Sequence, residues 1–265
     1  SPTHFTWMDT NYPAGTPRQG YPVEIQALWH HALVFLSELE QPPQQWEALA
    51  RKVQQSMVQY FKMPNPDTLS AGGYFLSDCL HAQSFVPAHQ ATPDDHIRPN
   101  QLFAITLGSI DDPDLMAGIV AVAEELVIPG AIRSLADRPV QYPLAVHHRG
   151  QLLNNPHHPY QGHYSGDEDW QRKPAYHNGT AWTWPLPSYC EALWITYGHQ
   201  ARQRGADILS ASIQTFNHGC IGHLPELLDG NYPHHQKGCF AQAWGITEFF
   251  RVARLLGLFP EDYPA

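Results

Sequence analysis

Apolar residues recur at helical spacing along several stretches of this chain of 265 residues. Between positions 25 and 39 they repeat every three to four residues, after a turn-like stretch at 17–20, and this pattern predicts a helix. A second series with the same period runs from position 46 to 60, directly after Pro42-Pro43. We therefore predict an antiparallel pair of helices at this end of the chain.

Further helices are predicted along the rest of the chain. Asp112 is a typical N-cap residue, Pro113 suits the first helical position, and an apolar series with helical spacing continues to Leu126. The other helical patterns cover positions 98–107, 186–197, 206–216 and 243–256. The chain thus has about seven predicted helices.

Long segments rich in Pro, Gly, His, Asn and Asp separate these helices. They cover positions 62–97, 136–182 and 217–239, and loops of that length are uncommon in a domain unless they are functional. The few strand-like runs are too short to build a sheet architecture. We predict an all-α protein with functional loops.

The balance of charged residues excludes some classes of partner. There are 15 Lys and Arg against 25 Asp and Glu, and the formal net charge of −10 repels a phosphate backbone. We therefore predict no nucleic-acid partner. No stretch approaches the roughly 20 apolar residues that span a bilayer, and no basic-then-apolar leader opens the chain. This predicts a soluble protein without a membrane partner.

Cysteines and aromatic residues indicate the cellular location and the kind of ligand. The four cysteines are widely spaced and form no CxxC pair, so we predict reduced thiols and a cytoplasmic location. Aromatic residues make up 12% of the chain and include eight Trp. Flat apolar rings beside neutral donors and acceptors suit sugar binding, although many of these rings must belong to the core.

Pairs of adjacent histidines raise the question of a metal site. They occur at 30–31, 147–148, 157–158 and 234–235, and His is the commonest neutral metal ligand. The chain has no HExxH string, however, and adjacent residues on a helix point in different directions. We predict no metal and no cofactor, and interpret these histidines as polar residues near a sugar site.

Two carboxylates are the candidates for acid and base chemistry. Asp9 follows Trp7 closely, and a carboxylic acid beside an aromatic wall can keep its proton near neutral pH. Glu226 follows a proline and precedes Gly230, which favours a loop. The alternatives are that Asp9 caps a helix or turn, and that Glu226 lies in the first turn of a helix. The competing acids are Glu24, Glu191 and the acidic run 167–169.

Five motifs, taken in chain order, resemble the glucosidase region of glycogen debranching enzymes. They are Thr6-Trp7-Met8-Asp9 with the Pro17-to-Trp29 stretch, Arg98-Pro99-Asn100-Gln101, Tyr176-to-Trp184, Pro225-Glu226-Leu227, and Gly238-to-Trp244. Together they cover nearly the whole chain. The resemblance implies an (α/α)6 toroid, and an inverting, metal-independent hydrolase that removes the α-1,6-linked glucose at a glycogen branch point.

The resemblance also implies roles for particular residues. Asp9 matches the general acid and Glu226 the general base, one protonating the glycosidic oxygen while the other activates water. The expected partner is glycogen or another branched α-glucan. The candidates for stacking on glucose are Trp7, Trp29, Trp182, Trp184 and Trp244. The candidates for binding its hydroxyls are Arg18, Glu24, Arg98, Asn100, His177, Asn178 and Gln242. An alternative for Arg18 and Arg98 is pairing with acids that hold loops.

The number of helices departs from the pattern of the family. About seven helices do not complete the twelve of an (α/α)6 ring, so we expect residues 1–265 to be the C-terminal part of the toroid, with its N-terminal helices missing. Self-association through the flank exposed in this way is a further expectation. The alternative functions are another toroidal glycosidase, glucoamylase-like or trehalase-like, a disaccharide phosphorylase, and a catalytically silent glycogen-binding module.

Overall fold

The computed structural model describes residues 6–9, 16–39, 44–65, 73–216 and 218–259. The helices in these ranges are α1 (Val23–Leu39), α2 (Gln44–Phe61), α3 (Leu102–Thr106), α4 (Pro113–Glu124), α5 (Asp169–Arg172), α6 (Leu186–Tyr197), α7 (His199–Ser210) and α8 (Ala243–Leu255). The strands in the same ranges are β1 (Gly20–Pro22), β2 (Lys62–Pro64), β3 (Tyr74–Leu76), β4 (Cys79–His81), β5 (Thr92–Pro93), β6 (Val127–Ile128), β7 (Ala131–Arg133), β8 (His147–His148), β9 (Gln151–Leu152), β10 (Ala181–Trp182), β11 (Leu227–Leu228) and β12 (Gln236–Lys237).

The helices predicted from apolar periodicity are present. Helices α1, α2, α4, α6 and α8 occupy the predicted positions, and the 98–107 pattern forms a 3-10 turn followed by α3. The side chain of Asp112 accepts hydrogen bonds from the backbone N–H groups of Asp114 and Leu115, as an N-cap does. Pro42 and Pro43, which precede the second predicted helix, lie outside the described residues.

Two helices differ from the prediction. The pattern at 206–216 belongs to a longer element, because α7 begins at His199 and continues as a 3-10 turn over Ala211–Thr215. Gly198 forms the tight link between α6 and α7. Its φ is +66°, a backbone conformation that a residue with a side chain rarely adopts. The acidic run 167–169, one of the competing acids in the sequence analysis, leads into the short helix α5, which was not predicted.

Helix α6 is the centre of the helical core. All eight residues from Leu186 to Leu193 are buried, and the helix packs against α3, α4, α7 and α8. A helix surrounded on all sides needs apolar side chains on every face. Helix α1 packs along α2 and against α3, while a second apolar cluster joins α6, α7 and α8 around Leu209, Phe249 and Val252.

Most of the short strands lie within the long segments that were predicted to be loops. Strands β12, β11, β10, β7 and β6 form an antiparallel sheet in that order, and β1, β4 and β5 form another. The predominance of helix is confirmed, but the all-α prediction missed these sheets. Strands of two or three residues carry no legible alternation of apolar and polar positions, so only their pairing partners reveal them.

Two further observations bear on the environment of the protein. None of the helices in the described ranges is long and apolar enough to cross a bilayer. The four cysteines are free thiols, and Cys79 and Cys190 among them are buried.

The N-cap of α4 can be tested directly. Replacing Asp112 with Ala leaves two backbone N–H groups without their acceptor, so we expect the free energy of unfolding to fall by about 1 kcal/mol. Urea denaturation followed by circular dichroism measures this change. Asp111→Ala is the matched control, because it removes the neighbouring exposed carboxylate without touching the cap. Equal destabilisation by both variants would show that charge, not capping, matters here.

Candidate active site

A buried cluster of four charged side chains lies beneath the site. Arg18 donates from both terminal nitrogens to Glu24, at 2.5 and 2.6 Å, and its Nε lies 2.7 Å from Asp78. Arg98 lies on the other side of the same aspartate, with 3.4 Å between its Nε and the Asp78 Oδ2. Two cations and two anions thus neutralise one another in a place where an unpaired charge would be costly.

Burial and nearby charges shift the pKa values of the two guanidinium groups in opposite directions. Burial acts to lower the pKa of Arg18, but the charges of Asp78 and Glu24 outweigh it and raise that pKa above its ordinary value. Burial dominates at Arg98 and lowers its pKa, with Asp78 opposing. Arg98 therefore depends strongly on having acceptors around it.

Those acceptors come from distant parts of the chain. Arg98 donates to the carbonyls of Ser134, at 2.9 Å, and His177, and its Nη2 lies 2.8 Å from the side-chain oxygen of Asn178. Asn178 in turn donates to the carbonyl of Pro174 at 2.8 Å. A single side chain thus fixes the loop that precedes β10.

Asn100 connects this polar cluster to the aromatic part of the site. Its Nδ2 donates to the Oδ1 of Asp78 at 2.8 Å, and its Oδ1 accepts from the indole Nε1 of Trp7 at 2.8 Å. Both groups of the amide are therefore used, which fixes its orientation. The same 3-10 turn that carries Asn100 begins directly after Arg98.

The indole of Trp7 is the hub of an aromatic cluster. It meets four rings edge to face, with centroid distances of 5.2 Å to His177, 5.2 Å to Trp182, 5.0 Å to Trp184 and 6.4 Å to Trp244. Edge-to-face packing is favoured by the quadrupoles of aromatic rings. His177 and Trp182 are buried, whereas Trp184 and Trp244 are half-buried and stack on each other at 4.7 Å.

Asp9 projects from the same short segment as Trp7. Its side chain is exposed, while the intervening Met8 is buried against the Nδ2 of Asn100. The negative charge of Asp9 contributes to the raised pKa of Tyr176. The packing of Trp7 and Met8 therefore holds the Asp9 carboxylate at the edge of the aromatic cluster.

Glu226 is held firmly at both oxygens. It lies in a bend just before β11, not in a helix, and is 7% exposed. Its Oε1 accepts from the hydroxyl of Tyr176, and its Oε2 accepts from the backbone N–H of Cys239 at 2.8 Å. Strand β11 pairs with β10, so the Glu226 bend is attached to the Trp182 strand.

The loop over Glu226 leaves no space for a side chain at Gly238. This glycine has a φ of +69°, and a Cβ there would lie 2.2 Å from the Oε2 of Glu226. Gly238 therefore permits the Cys239 N–H to approach the carboxylate closely.

Tyr176 is the residue that sequence reasoning missed. It stands at the head of the Tyr-His-Asn-Gly motif, yet a tyrosine in a loop offers no pattern that distinguishes it. Burial raises the pKa of its hydroxyl, and the hydrogen bond to Glu226 raises it further, so Tyr176 stays protonated and remains a donor. Its ring packs at 5.0 Å on Trp182 and at 4.7 Å on His177.

The structure brings most of the predicted residues together in two groups. Arg18, Glu24, Arg98, Asn100 and Asn178 bind one another, as the pairing alternative for the two arginines had it. Trp7, His177, Trp182, Trp184 and Trp244 form the aromatic cluster, and Gln242 accepts from the Nε1 of Trp244. Contact of these side chains with substrate stays a prediction.

Comparison of the sequence with known families gives one match over nearly the whole chain. A model of the amylo-alpha-1,6-glucosidase family matches residues 2–155 and 150–251. The chain belongs to this family, a family of glycoside hydrolases. No curated protein matches the chain.

The close contact between Gly238 and Glu226 yields a test. In the Gly238→Ala variant the new methyl group must displace the Glu226 carboxylate, so we expect glucose release from a branched limit dextrin to fall at least about tenfold, a barrier increase of about 1.4 kcal/mol. Gly222→Ala is the matched control, since its φ of +76° imposes the same backbone strain while nothing lies within 4 Å of the added Cβ. Equal loss in both variants would attribute the effect to strain alone.

Proposed function

We propose that this chain carries the glucosidase activity that hydrolyses the single α-1,6-linked glucose at glycogen branch points, with inversion at the anomeric carbon. Membership of the amylo-alpha-1,6-glucosidase family supports the substrate class. The observation that carries the proposal is the pair of carboxylates at one aromatic cluster. Glu226 binds the Tyr176 hydroxyl, and Asp9 lies close enough for its charge to raise the pKa of that hydroxyl.

Glu226 acts as the general base. Its two oxygens accept from Tyr176 and from the Cys239 N–H, and two donors suit an ionised carboxylate. Each carboxylate oxygen has a second lone pair, which is available to the attacking water. Because both donors are fixed, the carboxylate needs little reorganisation when it takes the proton from water.

Asp9 acts as the general acid. Its exposed carboxyl can reach the glycosidic oxygen of a branch that extends into solvent, which a large glucan requires. The Trp7 and Met8 side chains anchor its backbone, so the acid is positioned although its own side chain is free of the core. Acid and base on opposite faces of the sugar ring give inversion.

The neighbouring side chains recognise glucose. The stacked and half-buried pair Trp184 and Trp244 offers an apolar face to the sugar ring. Arg18 and Arg98 are buried in ion pairs with their acids, so their charges are neutralised inside the protein. A surface over neutralised charges suits a neutral, hydroxyl-rich ligand better than a phosphorylated one.

The proposed architecture is the C-terminal part of an (α/α)6 toroid. Helix α1 supports it, because its outward side carries an apolar stripe at helical spacing in addition to the residues buried against α2. The stripe consists of Ile25, Leu28, Trp29, Ala32, Phe35, Leu36 and Leu39. Leu28, Phe35 and Leu39 in it are more than half exposed. In a toroid, further helices would cover such a stripe.

The cytoplasm is the proposed location. The four cysteines are free thiols, including the exposed Cys239 beside the proposed base, and a reducing compartment keeps thiols in that state.

The two carboxylates are tested by isosteric substitution. We expect Asp9→Asn and Glu226→Gln each to lower glucose release from a branched limit dextrin by at least about a thousandfold, because each removes a proton donor or acceptor without changing shape. Glu124→Gln, on the surface with Arg204, is the matched control and should keep full activity.

Proton NMR of the freshly released glucose then shows its anomeric configuration. Inversion releases β-glucose, so α-glucose as the first product would contradict the inverting mechanism. Full activity of either substituted variant would remove that residue from the mechanism. Release of glucose from trehalose or from linear maltooligosaccharides, with none from the branched dextrin, would favour another toroidal glycosidase.

The stripe on α1 predicts self-association of the 265-residue chain. It carries no charged side chain, so two copies can pair there despite the net charge of −10. We expect light scattering to show dimers, and Leu28→Glu combined with Phe35→Glu to give monomers. Leu49→Glu, at an exposed apolar position of α2, is the control and should leave the dimer intact. A monodisperse wild-type monomer would contradict the proposed self-association through the stripe on α1.

A further inference from the structure

A surface cavity of about 610 Å³ lies outside the site described above. It is formed where the β8–β9 hairpin faces helix α5 and the loop before that helix. Its lining residues include His148, Arg149, Asp167, Trp170 and Arg172. Trp170 is 39% exposed, and its ring lies nearly parallel to that of His148, with a centroid distance of 6.0 Å and an interplanar angle of 11°. The cavity thus has an aromatic face open to solvent.

The wall of this cavity is fixed before any ligand binds. Glu168 and Gln171 form a capping box at the start of α5. Arg172 donates to the carbonyl of Asp167 at 2.8 Å and to the carboxylate of Asp169 at 2.7 Å. A rigid wall reduces the entropy cost of binding, which is a mark of a recognition site.

The chemistry of the lining fits a neutral, hydroxyl-rich ligand. Three carboxylates at 167–169 face two guanidinium groups, from Arg149 and Arg172. The local charge is therefore slightly negative, which disfavours phosphates and nucleic acid. Carboxylates and guanidinium groups beside an exposed indole offer acceptors, donors and a stacking face, the combination that pyranose rings require.

Aromatic contacts connect the cavity to the proposed base. Tyr176, which binds Glu226, packs against Tyr164 with ring centroids 5.3 Å apart. The positive charge of Arg172, in the cavity wall, acts on the Tyr164 hydroxyl and opposes the rise in its pKa that burial causes. The backbone N–H of Tyr164 donates to the side chain of Asp229 at 2.7 Å, which fixes this tyrosine to the residue directly after β11. A continuous row of side chains thus leads from the carboxylate to the surface.

We propose that the cavity at Trp170 is an outer subsite that binds the main chain of a branched α-glucan while its branch glucose lies at Glu226. This rests on the proposed function and extends it to the part of the substrate that is not cleaved. Trp170 stacks on a glucose unit of that chain, and the acidic and basic groups around it bind its hydroxyls. Binding energy gained there positions the branch for hydrolysis.

The decisive experiment compares two substrates. In Trp170→Ala the full chain should show about a tenfold higher KM for a branched limit dextrin, because stacking on the indole is lost. Its kcat and KM for α-D-glucosyl fluoride should not change, since that single glucose occupies only the cleavage site. Trp170→Phe keeps an aromatic face and should recover most of the affinity. Tyr197→Ala, at an exposed aromatic residue that ends α6, is the matched control.

Binding without turnover separates the inference from the proposed function. Native gels cast with the limit dextrin should retard the wild type and Tyr197→Ala, and retard Trp170→Ala much less. Equal retardation of Trp170→Ala and the wild type would overturn the subsite, even if both hydrolyse glucosyl fluoride. A wild type that binds the dextrin through Trp170 but hydrolyses neither substrate would overturn the proposed function and leave the subsite standing. Near-UV circular dichroism checks that each variant is folded.

Discussion

The buried guanidinium of Arg98 is the constraint on which the rest of the site depends. Its side chain is completely enclosed, so every donor must find an acceptor inside the protein. The acceptors belong to Asp78, Ser134 and the loop at 177–178, which are far apart in sequence. Removing one partner of such a buried group typically costs about 3–5 kcal/mol. The loops can therefore hardly move independently of one another.

The polar cluster around Arg98 fixes both segments that carry the proposed acid and base. Through Asn100, the polar cluster holds the Trp7 indole and so the segment that carries Asp9. Through the 177–178 loop, it holds Tyr176 and the strand β10, to which the Glu226 bend is paired. The proposed acid and base thus share one scaffold, although more than 200 residues separate them in the chain.

The aromatic residues divide into two groups with different tasks. Trp7, His177 and Trp182 are packed on one another and give the site its shape, whereas Trp170 remains exposed at the far end of the row through Tyr164. A branched glucan requires both, because the cleaved glucose needs an enclosed place and the uncleaved chain needs an open one. Exposed stacking and buried packing use the same residue type, and only the surroundings distinguish them.

The sequence alone determined most of the longer helices and the family to which the chain belongs. Periodicity is a local property, so α1, α2, α4, α6 and α8 could be predicted, and the ordered motifs predicted the family. Tertiary structure alone decided that Arg18 and Arg98 pair with buried acids, that Tyr176 holds Glu226, and that strands of two residues join into a sheet. Except for Arg18 and Glu24, which are 6 residues apart, these contacts join residues far apart in the chain. Their partners leave no local pattern, because burial and hydrogen bonding depend on what folding brings together.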